Sequence, residues 1–260
     1  MSSKTPDADR IKAILVPAAT LGTFLFNWIA ATGMINGTTP EMVSGKYPTP
    51  VTPAGYAFTI WIVIYIGLAA FSIYQLLPQH TGRFRSVRTL FIVSCVLNCA
   101  WLYFWAFEMI GLCLATILVL LAVIFAIDAK LRANESTAEY WMTKAPFGLY
   151  FGWVTAASAV NIAVFLVYRK IDISALAMNI LAVVLMVLVV AAVIAVRAKF
   201  KNYLAPLAAA WALTAIAVKQ SGDTMIVVAA AVGVIACLIA STSVIMDIKT
   251  INAHRSEPPV

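Results

Sequence analysis

Residues 47–75 read YPTPVTPAGYAFTIWIVIYIGLAAFSIYQ. The opening third is a proline-rich loop: Pro48, Pro50 and Pro53 lack the backbone N–H that a helix needs and hold the chain extended. From Ala57 the character changes. The run 57–77 carries no charge and is long enough, at 1.5 Å per residue, to cross a hydrocarbon core about 30 Å thick. Within and just before it Phe58, Trp61 and Tyr65 fall at i, i+3 and i+7, one face of a helix.

Working outward, the same kind of run recurs at 11–35, 88–107, 110–128, 145–168, 174–196, 202–218 and 224–246. The stretch 88–128 is too long for one crossing and must fold back near 108–111. Apolar residues make up 63% of the 260 and charged residues 11%, against roughly 45–50% and about 25% in globular proteins. These figures exclude a soluble domain, a disordered chain and a disulfide scaffold, and imply an all-α integral membrane protein of eight spans. The run 202–218 is short and alanine-rich, so a seven-span chain is the topological rival.

The net charge of +7 is topology, not a nucleic-acid footprint. With the N-terminus inside, 14 of the 18 Lys and Arg residues fall in inside segments, and only Lys46, Arg169, Lys170 and Lys219 fall outside. Eight spans with both termini cytoplasmic satisfy this alternation, which dropping the seventh span would blur. The first run exceeds a signal-peptide core and follows Asp7 and Asp9, so it reads as an uncleaved first helix. The localisation expected is a plasma (inner) membrane.

Chemistry-bearing groups are scarce in the runs. Glu108 and Asp128 sit at helix termini, and every Lys and Arg maps to an end or a loop. The usual mid-membrane carboxylate or histidine of a proton- or sodium-coupled transporter is missing, and no lysine lies deep enough for a retinal Schiff base. His80 and His254 fall in cytoplasmic segments, and no Walker, zinc or nucleophile motif occurs. Cys95, Cys99, Cys113 and Cys237 lie inside apolar runs without a C-x-x-C pair and read as packing residues. Nothing marks the chain as an enzyme.

What the runs do hold is aromatic and amide side chains in register. Asn98, Trp101 and Trp105 repeat the i, i+3, i+7 spacing, and Trp153, Ala157 and Asn161 descend one face in steps of four. An asparagine facing lipid would strand its amide, so Asn98 and Asn161 are expected to point inward. Trp28, Tyr47, Tyr140, Trp141 and Tyr168 read instead as an interfacial belt. Gly148, Gly152 and Ala156, and likewise Ala229, Gly233 and Cys237, form strips of small residues for close helix packing, within the chain or in a homodimer.

Residues 47–75 resemble the first loop and second helix of the tryptophan-rich sensory protein family (TspO, the translocator protein or TspO/MBR family), whose proline-rich loop is followed by F-x-x-W-x-x-x-Y. Leu97-Asn98-x-x-Trp101 with Phe104 is similar to its third-helix motif, and Trp153-Val154-Thr155 with Ala157 and Asn161 to its fifth-helix motif. Leu149 and Pro146 depart from the family's fifth-helix proline, while Tyr150 keeps its place. The resemblance spans about residues 11–168, and NGTTPEMVSGKYP (36–48) is similar to the longer first loop of bacterial members.

The resemblance implies a five-helix bundle over 11–168 that binds a porphyrin, such as protoporphyrin IX, or a similar flat amphipathic ligand, as sensor, scavenger or passage. By matched position Trp61 and Trp153 would flank the ligand. Phe58, Tyr65, Asn98, Trp101, Trp105, Tyr150 and Asn161 would shape its pocket, and Pro48, Pro50 and Pro53 would form its lid. Residues 1–10 would then be a cytoplasmic leader, 174–246 a three-helix extension and 247–260 a cytoplasmic tail. Leu166–Lys170 (LVYRK) fits a permissive sterol pattern, but a tyrosine and two basic residues closing a helix are ordinary anchors. The expected partners are membrane lipid and a small hydrophobic ligand, with no metal and no nucleic acid. The rival from another class is a small-solute transporter or permease subunit, which would need a coupling group and an internal repeat.

Overall fold

The computed structural model of the chain describes residues 6–80, 82–131 and 136–242. The tail 247–260 with His254, and Lys4 and Arg132, lie outside the described residues. Among the described residues the secondary structure is helical. The long elements are α1 (Pro6–Ala31), α3 (Ile60–Tyr74), α4 (Arg85–Ala106), α5 (Ile110–Lys130), α7 (Ala145–Tyr168), α8 (Ala175–Phe200), α9 (Leu204–Lys219) and α10 (Thr224–Thr242). Two short ones, α2 (Pro40–Lys46) and α6 (Thr137–Glu139), lie in connections.

Seven of the eight long helices are long and apolar enough to cross a bilayer, α3 together with the 3₁₀ turn Gly55–Thr59 that leads into it. The eighth is α9, whose 16 residues span about 24 Å. It need not match the lipid thickness, because it is enclosed by α7, α8 and α10 and most of its alanines are buried. Large apolar side chains such as Leu21, Ile66, Leu176 and Ile239 are two-thirds exposed around the bundle, an apolar outside of the kind that faces a bilayer. The chain is an all-α multi-pass membrane protein.

Loop contacts fix how the helices alternate. At one end the α1–α3 connection meets the α4–α5 turn through Lys46 and Glu108. It also meets the end of α7 through Tyr47 and Tyr168, and the α9–α10 turn through Gln220 and Thr49. The opposite end holds the Arg83–Glu139 pair, 2.6 Å apart, and the contact of Asn202 with Asp128 at 2.7 Å. Successive helices therefore run up and down, and Lys46, Arg169, Lys170 and Lys219 gather at the charge-poor end. The fold-back expected near 108–111 is made by Glu108 in a left-handed conformation (φ 54).

Polar side chains replace backbone partners where the sequence breaks a ladder. Pro17 inside α1 cannot donate to the carbonyl of Ala13 one turn back. Gln75 Nε2 donates to that carbonyl at 2.9 Å, and Arg88 Nε donates to Gln75 Oε1 at 2.8 Å. The three buried residues tie α1, α3 and α4 together at the basic end, in hydrocarbon-like surroundings where an unpaired carbonyl is costly.

Helix α7 is the centre of the bundle: most of its residues are buried, whereas in α10 only Ile226, Ala230, Gly233 and Cys237 are. Both small-residue strips are used inside the chain. A Cβ on Gly152 would lie 2.1 Å from the carbonyl oxygen of Ala205 in α9, and one on Gly148 would lie 1.9 Å from Asn202 Oδ1 in the α8–α9 connection, so α9 and its entry press against α7 where side chains are missing. Gly233 of α10 likewise lies against Leu213 and Val190. Gly67 faces Pro146, the displaced proline, at 2.8 Å by the same measure.

Candidate functional site

The proline-rich stretch leads into a 3₁₀ turn, Gly55–Thr59, which runs into α3. That turn carries Phe58, and α3 continues the same face with Trp61 and Tyr65. Trp61 stacks on Tyr65 with centroids 5.3 Å apart. It meets Tyr150 edge-on at 5.7 Å and Trp153 at 6.2 Å and 81°. Phe58 meets Trp153 at 6.0 Å, and Trp101 stacks on Trp105 at 5.8 Å. The sequence-derived aromatics thus form one cluster between α3, α4 and α7.

Two hollows flank this cluster, and Phe58 and Trp101 line both. The larger, about 480 Å³, lies between α1 and α3 beneath α2, within the usual size range of ligand pockets. Its walls include Trp28, Trp61, Tyr65 and Trp101, and Pro40 and Glu41 roof it. It opens sideways past Trp28 and Ile62, which are 57% and 63% exposed, so a ligand could enter from the lipid. The smaller hollow, about 30 Å³, lies behind Phe58 against Trp153, Asn161, Ala212 and Ile216. It has room for a single small group.

A polar hub lies at the edge of the larger cleft. Asn27 Nδ2 donates to Asn98 Oδ1 at 2.7 Å, and the Tyr65 hydroxyl donates to Asn27 Oδ1. Trp101 Nε1 donates to Asn161 Oδ1 at 3.3 Å. Asn98 and Asn161 therefore point inward, as the sequence requires. The buried donors Asn98 Nδ2 and Trp153 Nε1 have no hydrogen-bond partner among the described residues.

The loop over the site is held from two sides. On the α4 side, Trp105 Nε1 donates to the Pro40 carbonyl at 3.0 Å and Asn36 Nδ2 to the Ala106 carbonyl at 2.9 Å. Beside them, Lys46 Nζ and the Tyr47 hydroxyl donate to Glu108 at 2.5 and 2.6 Å. The bond from Lys46, then that from Tyr47, holds the Glu108 carboxyl below its usual range; the same contact with Glu108, then burial, pushes the Tyr47 phenol up to about 12. On the other side α9 takes hold. Ala54 N donates to the Ala215 carbonyl and Trp211 Nε1 to the Ala57 carbonyl, both at 3.0 Å, while Gln220 Nε2 donates to the Thr49 carbonyl.

Some sequence-derived placements are brought together and others are not. Phe58, Trp61, Tyr65, Trp101, Trp105, Tyr150, Trp153, Asn161 and Asn98 converge. Trp61 and Trp153, expected on either side of a ligand, instead touch, so no flat ring fits between them in this arrangement. Pro53 lines the smaller hollow, whereas Pro48 and Pro50 line a separate depression with Lys219 and Asp223. Asn27 was missed although it is an amide in an apolar run, the signal that marks Asn98 and Asn161. Trp28, read as belt, lines the cleft. Among the described residues no group of three or more His, Cys, Asp or Glu side chains forms a metal site.

The TSPO-like protein family matches residues 13–244. The chain belongs to that family. The match does not stop at Tyr168, where the motif resemblance ended, but runs through α8, α9 and α10. No curated protein and no solved structure matches the chain.

Proposed function

We propose that this TSPO-like protein binds a flat amphipathic ligand, of the tetrapyrrole class that includes protoporphyrin IX, in the cleft between α1 and α3. It acts there as a sensor, scavenger or passage, in the plasma (inner) membrane of a bacterial cell. The observation that carries this reading is the cleft itself. A cavity of about 480 Å³ is walled by aromatic faces, has a polar hub of Asn27, Asn98 and Tyr65 at one edge, and opens sideways past Trp28 and Ile62. Aromatic walls hold a flat ring through area and stacking, while the few polar groups fix its orientation. The ligand plane lies along the wall of Trp28, Trp61 and Trp101, not between Trp61 and Trp153.

The test is quenching of tryptophan fluorescence by protoporphyrin IX in detergent-purified protein, with Trp61→Phe and Trp101→Phe beside the parent. Saturable quenching that weakens in both variants, at unchanged melting temperature, supports the site. Quenching that is absent, or equal in all three proteins, refutes it.

A further inference from the structure

The charge of the ligand is legible at the mouth of the same cleft. Among its described lining residues the one charged side chain is Glu41. Its carboxylate is seated against the loop backbone: a Cβ added to Gly55 would fall 1.9 Å from Glu41 Oε1, so this glycine gives it room. The carboxylate has no hydrogen-bond or ion-pair partner among the described residues, and the nearest cation along the α1–α3 connection, Lys46, is already joined to Glu108 at 2.5 Å.

A lone carboxylate at the rim of an aromatic cavity with no Lys or Arg in its walls has one electrostatic preference. A positive group is attracted both by the carboxylate and by the negative faces of the tryptophan rings below it. A second carboxylate at that rim meets like-charge repulsion, with no cation in the cleft wall to offset it. The walls accept a flat apolar body whatever its charge, so the rim decides which end of the ligand is tolerated.

The geometry points to a flat aromatic ligand that presents a cationic or hydrogen-bond-donating end to Glu41, so that a dianionic ring binds more weakly than a neutral or cationic ring of the same shape. This inference rests on the cleft being the ligand site. Its test uses one ring in three charge states, in a nonionic detergent: protoporphyrin IX, its dimethyl ester, and the derivative whose two propionates are dimethylaminoethyl amides. Tryptophan quenching is read for the parent, Glu41→Gln and Trp61→Phe.

In the parent, affinity is expected to rise from the dianion through the diester to the dication, with steps of about fivefold, the effect of a part-exposed charge pair. Raising the salt from about 50 to about 500 mM narrows the spread. Glu41→Gln brings the three affinities together, lowering the dication's and raising the dianion's, without changing the melting temperature of an exposed site. If Trp61→Phe weakens all three rings while Glu41→Gln leaves their ratios as in the parent, the cleft stands and the charge preference is overturned. If Trp61→Phe changes none of them, the cleft reading fails and this inference falls with it.

Discussion

Replacing Gly152 by alanine tests the close backbone contact between α7 and α9. The added Cβ would lie 2.1 Å from the Ala205 carbonyl oxygen and 2.9 Å from the Ala208 Cβ. Carbon–oxygen contacts settle near 3.3 Å, so α9 must move off α7 by about 1 Å, and the obstacle is backbone that cannot rotate away. Overpacking of this kind costs about 3 kcal/mol. The movement also loosens Ala212 and Ile216 in the smaller hollow, the loop bond accepted by the Ala215 carbonyl and those donated by Trp211 and Gln220. At roughly 2–4 °C per kcal/mol for a chain of this size, the melting temperature in detergent should fall by about 6–12 °C. Gly22→Ala is the control: nothing lies within 4 Å of its added Cβ, and alanine favours a helix interior by about 0.5–1 kcal/mol. A Gly152→Ala protein that melts within a degree of the parent would refute the α7–α9 packing described above.

Two further outcomes follow from the anchored loop. Glu108, with its carboxyl lowered by Lys46 and Tyr47, stabilises the fold above the usual carboxylate range, and that contribution fades as pH falls through its lowered value; Tyr47, raised to about 12, contributes below its ordinary value and fades only as pH rises toward 12. The melting-temperature gap between parent and Glu108→Gln should therefore stay constant from about pH 6 to about pH 9 and narrow below about pH 4; a gap that widens in acid contradicts the pairing. Trp211→Phe removes one of the donors to the Ala57 carbonyl, which keeps its backbone bond from Ile60 N; losing that tie should cost about 1 kcal/mol and weaken protoporphyrin IX quenching, because the 3₁₀ turn carrying Phe58 loses a support. Unchanged binding would mean that α9 does not position the turn.

The sequence displays the runs because a span must be apolar along its whole length, and it displays Phe58, Trp61, Tyr65, Asn98, Trp101 and Asn161 because one helix face repeats every three or four residues. Run ends are less visible. The first helix stops at Ala31 rather than residue 35, where Gly33 and Gly37 take left-handed φ values of 74 and 67. Periodicity says which face is turned inward but not which helix it meets, so Gly148 and Gly152 announce a close neighbour without naming α9. For the same reason the grip of α9 on the Thr49–Ala57 backbone is hidden: those bonds join main-chain atoms to Trp211 and Gln220, more than 150 residues away in sequence. Trp28 falls at a helix end, where interface and cleft mouth look alike in one dimension. Glu41, a single acid in a loop, gains meaning only from the cavity beneath it.

The central claim is that the ligand occupies the cleft between α1 and α3, and filling that cleft tests it most directly. Ala31 lines it from the exposed end of α1, so Ala31→Trp puts a ring into the cavity without disturbing the core. Ala192→Trp does the same for a lipid-facing groove between α5 and α8, lined by Leu118 and Phe125. Binding of protoporphyrin IX, read by its own absorbance in equilibrium dialysis to avoid the added tryptophans, should be lost in Ala31→Trp and kept in Ala192→Trp. Binding kept in Ala31→Trp and lost in Ala192→Trp would contradict the account.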